Sequence, residues 1–268
     1  MKLSPKNGRV TFPDGQMDYL RFGTGKKVLI MLPGLGDGLH SSYGLALPTA
    51  ILYRMYARDY TVYMFSRKTK MPEGCTTEDM ALHVKQAMDF LGIEKAHILG
   101  VSMGGMIAQH FAADYPDAVK KLILVVTSSH LTPLLEETVR HWVSLAESGD
   151  HTAFMDSNMR LIYSEEYYRK NKWMVPLMGK FMKPRSYDRF FVQASACLTH
   201  DAFSQLPSVR ARTLVIGGEQ DLALGADPSR EIAARIPGAQ LKVYPRWGHG
   251  LYEEAPDFNE TVQRFFLD

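Results

Sequence analysis

The sequence predicts an α/β protein with a mostly parallel central sheet, helices on both of its faces, and a helical insertion. Three features of the 268-residue chain carry this reading. First, apolar, β-branched runs of strand length recur: KVLIML (27–32), YTVYMF (60–65), AHILGV (96–101), KLILVV (121–126), TLVIGG (213–218) and QLKVYP (240–245). Second, helical periodicity fills the intervals, and such alternation is what parallel strands joined by crossover helices require. Third, one interval breaks the rhythm, since roughly 85 residues separate LILVV from TLVIGG where about 25 to 35 would serve.

Between the second and third runs, Thr76, Thr77, Glu78 and Asp79 form a capping-box-like start. Met80, Val84, Ala87, Met88 and Leu91 then keep one helical face until Gly92. After the third run, Met106, Ile107, His110 and Phe111 continue a helix that Pro116 should stop. In the long interval, Leu135, Val139, Trp142 and Ala146 make one stripe, Met155, Met159 and Ile162 a second, and Phe190, Ala194 and Cys197 a third. Gly149, Pro176 and Pro184 read as breaks between them. The domain reading is therefore a core of residues 1–130 and 204–268 with a helical cap over 131–203.

Composition excludes several function classes. A chain that is 46% hydrophobic and 22% charged, with a net charge of +2, lacks the electrostatic footprint of a nucleic-acid binder. The N-terminal MKLSPKNGRV has no apolar core of a signal peptide, and no apolar run is long enough to span a bilayer, so a cytoplasmic protein without membrane insertion is expected. Cys75 and Cys197 form neither a CxxC pair nor a ligand cluster, so two reduced thiols, no metal and no cofactor are expected. GLGDG (34–38) is Gly-rich after a strand, but position 39 is Leu where a dinucleotide loop needs its third glycine.

The chemistry concentrates in ILGVSMGGMIA (98–108), where Ser102 lies between Gly100 and Gly104 as a strand gives way to a helix. A serine hydroxyl is a poor nucleophile unless a base removes its proton and fixed donors receive the charge developing on the substrate oxygen. A sharp strand-to-helix turn exposes the hydroxyl and aims the helix N-terminus at the same place. Side chains at 100 and 104 would collide with the adjoining strand and helix, which accounts for the two glycines. Two other strand ends carry the complementary groups. His249, in RWGHG after the last run, is the sole histidine beyond position 200, and Asp221, in GGEQDLALG after TLVIGG, is the matching acid, with Glu219 its nearer rival.

With Ser102, Asp221 and His249 in that chain order, the sequence resembles the α/β-hydrolase family over essentially its whole length, and in particular its small capped esterases and lactonases. The resemblance implies a nucleophile at Ser102, a general base at His249 and an orienting acid at Asp221. It also implies an oxyanion hole built from the backbone N–H of Met103 and that of Leu35, or Gly36, in the PGLGDG loop, where the family commonly has His-Gly in place of Pro33 and Gly34. The expected reaction is cleavage of an ester or related acyl bond through an acyl-enzyme. Lactonase, thioesterase, carbon–carbon hydrolase, acyltransferase and perhydrolase chemistries share the same triad, and a non-catalytic receptor of this fold is the alternative of another class. The expected partner is a small molecule, and oligomeric state is not legible.

Substrate selection should fall to the insertion, which is rich in aromatic and Met side chains. Trp142, Met155, Met159 and Trp173 are the candidates for its pocket-facing side. Its cluster Arg169, Lys170, Lys172, Lys180, Lys183, Arg185 and Arg189, against Asp188 alone, reads as a solvated basic face rather than an anion-steering entrance.

Overall fold

The computed structural model describes residues 3–268. In chain order the elements are β1 (Lys6–Phe12), β2 (Gly15–Phe22), β3 (Lys27–Leu32), α1 (Ala46–Leu52), β4 (Tyr60–Lys68), α2 (Thr77–Phe90), β5 (Ala96–Val101), α3 (Met103–Asp114) and β6 (Val119–Val125). Five helices follow: α4 (Pro133–Glu147), α5 (His151–Ile162), α6 (Glu165–Asn171), α7 (Val175–Phe181) and α8 (Asp188–Leu198). The chain closes with β7 (Arg212–Gly218), α9 (Asp227–Arg235), β8 (Gln240–Tyr244), α10 (Leu251–Glu254) and α11 (Phe258–Leu267).

The eight strands form one sheet in the order β1-β2-β4-β3-β5-β6-β7-β8, with β2 antiparallel to both its neighbours and every pairing from β4 to β8 parallel. Alternation along each strand divides the core between two layers, because successive side chains point to opposite faces. Ile30 and Leu32 of β3 join Ile98, Leu122 and Val215 against α2, α3 and α9. Leu29 and Met31 join Leu99, Ile123 and Ile216 against α1 and α11. The helices thus cover both faces, as the strand runs predict.

Sequence reading missed the β1–β2 hairpin, whose strands are polar at alternate positions and lie at the sheet edge. Phe12-Pro13-Asp14-Gly15 is a turn signature between two alternating runs and was the available signal. The helix after β4 forms as expected. The Thr76 hydroxyl accepts from the Asp79 N–H at 3.1 Å, and the Thr76 N–H donates to Asp79 Oδ2 at 2.8 Å, a complete capping box.

Between β6 and β7 the three expected helical stripes become α4, α5 and α8, but α6 and α7 were not foreseen. Pro176 does not break a helix; it occupies the first turn of α7, where its missing N–H costs nothing. Leu135, Trp142, Phe154, Met155, Phe190 and Ala194 of this insertion pack into the same apolar cluster as the sheet. Gly38 makes the closest approach possible, since a Cβ there would lie 2.8 Å from Phe190 Cα. Among the described residues no helix is long and apolar enough to cross a membrane.

Candidate active site

Ser102 sits between the end of β5 and the first residue of α3 with φ 53° and ψ −122°, a conformation that costs a non-glycine residue of the order of 1–3 kcal/mol. Its backbone is clamped from both sides. The Ser102 N–H donates to the Val125 carbonyl at 2.9 Å, and its carbonyl accepts from the Gly105 N–H and the Thr127 hydroxyl, both at 2.8 Å. A Cβ on Gly100 would lie 2.8 Å from Gly105 Cα, and one on Gly104 would overlap the Leu32 and Pro33 carbonyls. The glycines are therefore needed for the turn itself, as the sequence implied.

His249 and Asp221 arrive from the ends of β8 and β7, and both are buried. Their loops touch backbone to backbone: a Cβ on Gly248 would lie 2.6 Å from the Gln220 carbonyl, and one on Gly218 2.6 Å from that of Trp247. This close contact sets His249 Nδ1 2.8 Å from Asp221 Oδ2, while Asp221 Oδ1 accepts the Ala223 and Leu224 N–H groups at 2.9 Å. Glu219 points elsewhere and pairs with Arg230 at 2.5 Å on the outer surface.

Ser102 and His249 line one cavity of about 350 Å³, whose floor is the PGLGDG loop and whose roof is α4, α5 and α8 with the segment around Met182. Trp142 and Met155 line it. Met159 and Trp173 do not: Met159 packs with Tyr168 and Val175 in a separate cluster, and Trp173 is 66% exposed on the outside. Met159 turns away because α6 and α7, unseen in the sequence, take up the back of α5, and Trp173 lies on the turn that joins those two helices. Sequence reading does not find Leu39, Phe154, Asn158, Tyr252 or His40 in the lining, whereas Tyr163, Met182 and Phe190, part of the aromatic and Met-rich insertion, line the cavity as well. Ile162, on the same sequence stripe as Met155, also lines it, two turns of helix further on. A smaller enclosed space of about 20 Å³ beside Ser102 is walled by Met106, Val139, Leu224 and Cys197. Burial pushes the Cys197 thiol up to about 12, so it stays protonated at neutral pH.

A family model described as alpha/beta hydrolase fold matches residues 27–256. The chain belongs to the alpha/beta hydrolase fold family. Among curated relatives, the 2-hydroxy-6-oxo-6-phenylhexa-2,4-dienoate hydrolase of Comamonas testosteroni is 29% identical over 98% of this chain and 94% of its own. A 2-hydroxy-6-oxononadienedioate/2-hydroxy-6-oxononatrienedioate hydrolase from the same organism is 32% identical over 70% of this chain and 68% of its own. The enol-lactonase of Burkholderia xenovorans has the same fold, with a TM-score of 0.82 at 20% identity over 97% of this chain and all of its own.

In this alpha/beta hydrolase the PGLGDG loop forms a single 3-10 turn, Leu35–Gly38, so the Leu35 and Gly36 N–H groups both lack partners within the turn and both border the cavity. A buried ionic network holds the loop. Asp37 Oδ2 accepts the Arg67 N–H at 3.0 Å and Arg189 Nη2 at 2.9 Å, while Arg67 Nη2 donates to the Pro33 carbonyl at 2.5 Å. Arg189 belongs to α8, so the same carboxylate ties the loop to the insertion. Burial draws the Arg67 pKa down while Asp37 draws it back up. Arg189, part of the basic face by sequence, is instead folded inward, its side chain 20% exposed.

Proposed function

We propose that the protein is a serine hydrolase that cleaves an ester or lactone with an uncharged, largely apolar acyl group, and that residues 131–203 act as its cap. Ser102 Oγ attacks the carbonyl carbon and His249 Nε2 takes its proton. Asp221 holds the proton of His249 on Nδ1, which leaves Nε2 free to act as base. The Met103 N–H, first in α3, and the Leu35 or Gly36 N–H receive the oxyanion. The leaving group departs with the proton from His249, and water activated by the same nitrogen then releases the acid from Ser102.

The observation that carries the substrate side is the lining: Trp142, Phe154, Met155 and Ile162 stand among its apolar walls, and among the described residues no Lys or Arg is part of it. The dienoates named for the curated relatives bear a carboxylate. Here such a group would be buried without a Lys or Arg to pair with, which disfavours binding. Turnover of neutral p-nitrophenyl esters and of small lactones, beside 2-hydroxy-6-oxo-6-phenylhexa-2,4-dienoate, tests this. Neutral acyl groups should lead by at least roughly tenfold in kcat/KM, since each buried methylene contributes about 0.8 kcal/mol. A preference for the dienoate would reassign the reaction to carbon–carbon hydrolysis on the same residues.

A further inference from the structure

Trp173 has no part in the cavity, and its surroundings are unusual. The turn Lys172–Met174 leads directly into α7, and together they bury one face: Val175 joins the Met159 cluster, and Gly179 packs so closely on α5 that a Cβ there would lie 2.8 Å from Thr152 Cα. The opposite face is also apolar. Trp173, Leu177 and Phe181 follow one another at four-residue spacing, so they share a helical side, and they are 66%, 49% and 73% exposed, with Met182 beside them at 46%. A helix apolar on both sides ordinarily has both sides covered.

The charge along this segment is one-sided, although Asp150 at the start of α5 and Asp156 within it share a shallow groove with Lys172 and Trp173, where Asp156 is paired with Arg160. Arg169, Lys170, Lys172, Lys180, Lys183 and Arg185 are all exposed, and no acid occurs from Tyr167 to Tyr187. The whole chain holds 31 Lys and Arg against 29 Asp and Glu, so outside this segment acids outnumber bases, 29 to 25. We propose that this face docks peripherally on an anionic phospholipid surface, with Trp173, Leu177 and Phe181 at the headgroup boundary and the six cations on the phosphates. Cations flanking an exposed Trp, Leu and Phe stripe match that surface in both charge and polarity. A second copy matches poorly, because a two-fold contact through this face would set the six cations against their own counterparts. Met182 belongs to both the stripe and the cavity lining, so docking would bring the mouth of the cavity to the lipid.

Co-sedimentation of the full chain with phosphatidylcholine vesicles, with and without phosphatidylglycerol, tests the proposal. Binding should require phosphatidylglycerol and weaken as salt rises. The pairs Trp173→Ser with Phe181→Ser, and Lys180→Glu with Lys183→Glu, should each lower partition by roughly tenfold or more, while turnover of a soluble short ester stays unchanged. Absence of binding, equal binding to both vesicle types, or binding that ignores both variant pairs would overturn it. So would a concentration-dependent dimer, or an acidic protein partner, that the Trp173→Ser, Phe181→Ser pair abolishes while vesicle binding persists.

Discussion

The loops at the strand ends and the helical insertion contribute to the same cavity by different means. At the strand ends, backbone contacts set the geometry: Ser102 is clamped to Val125 and Thr127, and the Asp221 and His249 loops meet through Gly218 and Gly248. In the insertion, residues of one type have opposite fates. Trp142 is buried over Ser102 while Trp173 faces outward, and Met155 lines the cavity while Met159 packs behind it. Parallel strands deliver their C-terminal ends to one edge of the sheet whatever surrounds them. A helix face acquires its role only from the neighbour packed on it.

The largest expected effect belongs to the strand ends. Ser102→Ala should lower kcat by roughly 10³- to 10⁶-fold with the far-ultraviolet spectrum unchanged. Adding His249→Ala should cost little more, because the two residues act as one unit. A double variant showing the full product of the two losses would break the assignment of a common unit.

The junction between the two regions should respond in stability. Asp37→Ala leaves Arg67 buried without its carboxylate, and urea unfolding should register a loss of about 3–5 kcal/mol. A loss below about 1 kcal/mol would mean that the loop and α8 are held by apolar packing alone, as at Gly38 and Phe190.

Within the insertion the contrast between the tryptophans can be sharpened directly. Trp142→Ala should move the acyl length at which kcat/KM peaks in a p-nitrophenyl ester series toward longer chains by one or more methylenes, each about fourfold in rate. Trp173→Ala should leave the profile where it was. If both variants moved the peak equally, the inside–outside division would fail.

A further expected effect is a pH dependence of stability seated in the core. Burial between Tyr60 and Phe266 holds His97 down at about 4, and burial beside His110 holds His200 at about 3. Below about pH 6.5 the unfolded chain takes up protons that these folded sites refuse, so stability is full above that pH and falls as pH drops toward about 4. The slope should be up to about 1.4 kcal/mol per pH unit for each histidine. His97→Phe should flatten it in urea midpoints compared across that range, and an unchanged slope would remove His97 from the account.

By itself the sequence determined the sheet, six of its eight strands, the turn at Ser102, and the candidacy of Asp221 and His249. These depend on short-range patterns: strand periodicity, glycines where backbones collide, and chemistry at the ends of successive strands. It left open Leu35 or Gly36, and it did not place the edge hairpin, whose polar alternation resembles a loop until β4 pairs with it. The pocket walls, the inward turn of Arg189 onto Asp37, and the outward turn of Trp173 were decided only by tertiary structure. The amphipathic pattern of a short helix says that it has an apolar side, but α7 has two, and only the position of α5 determines which of them is covered.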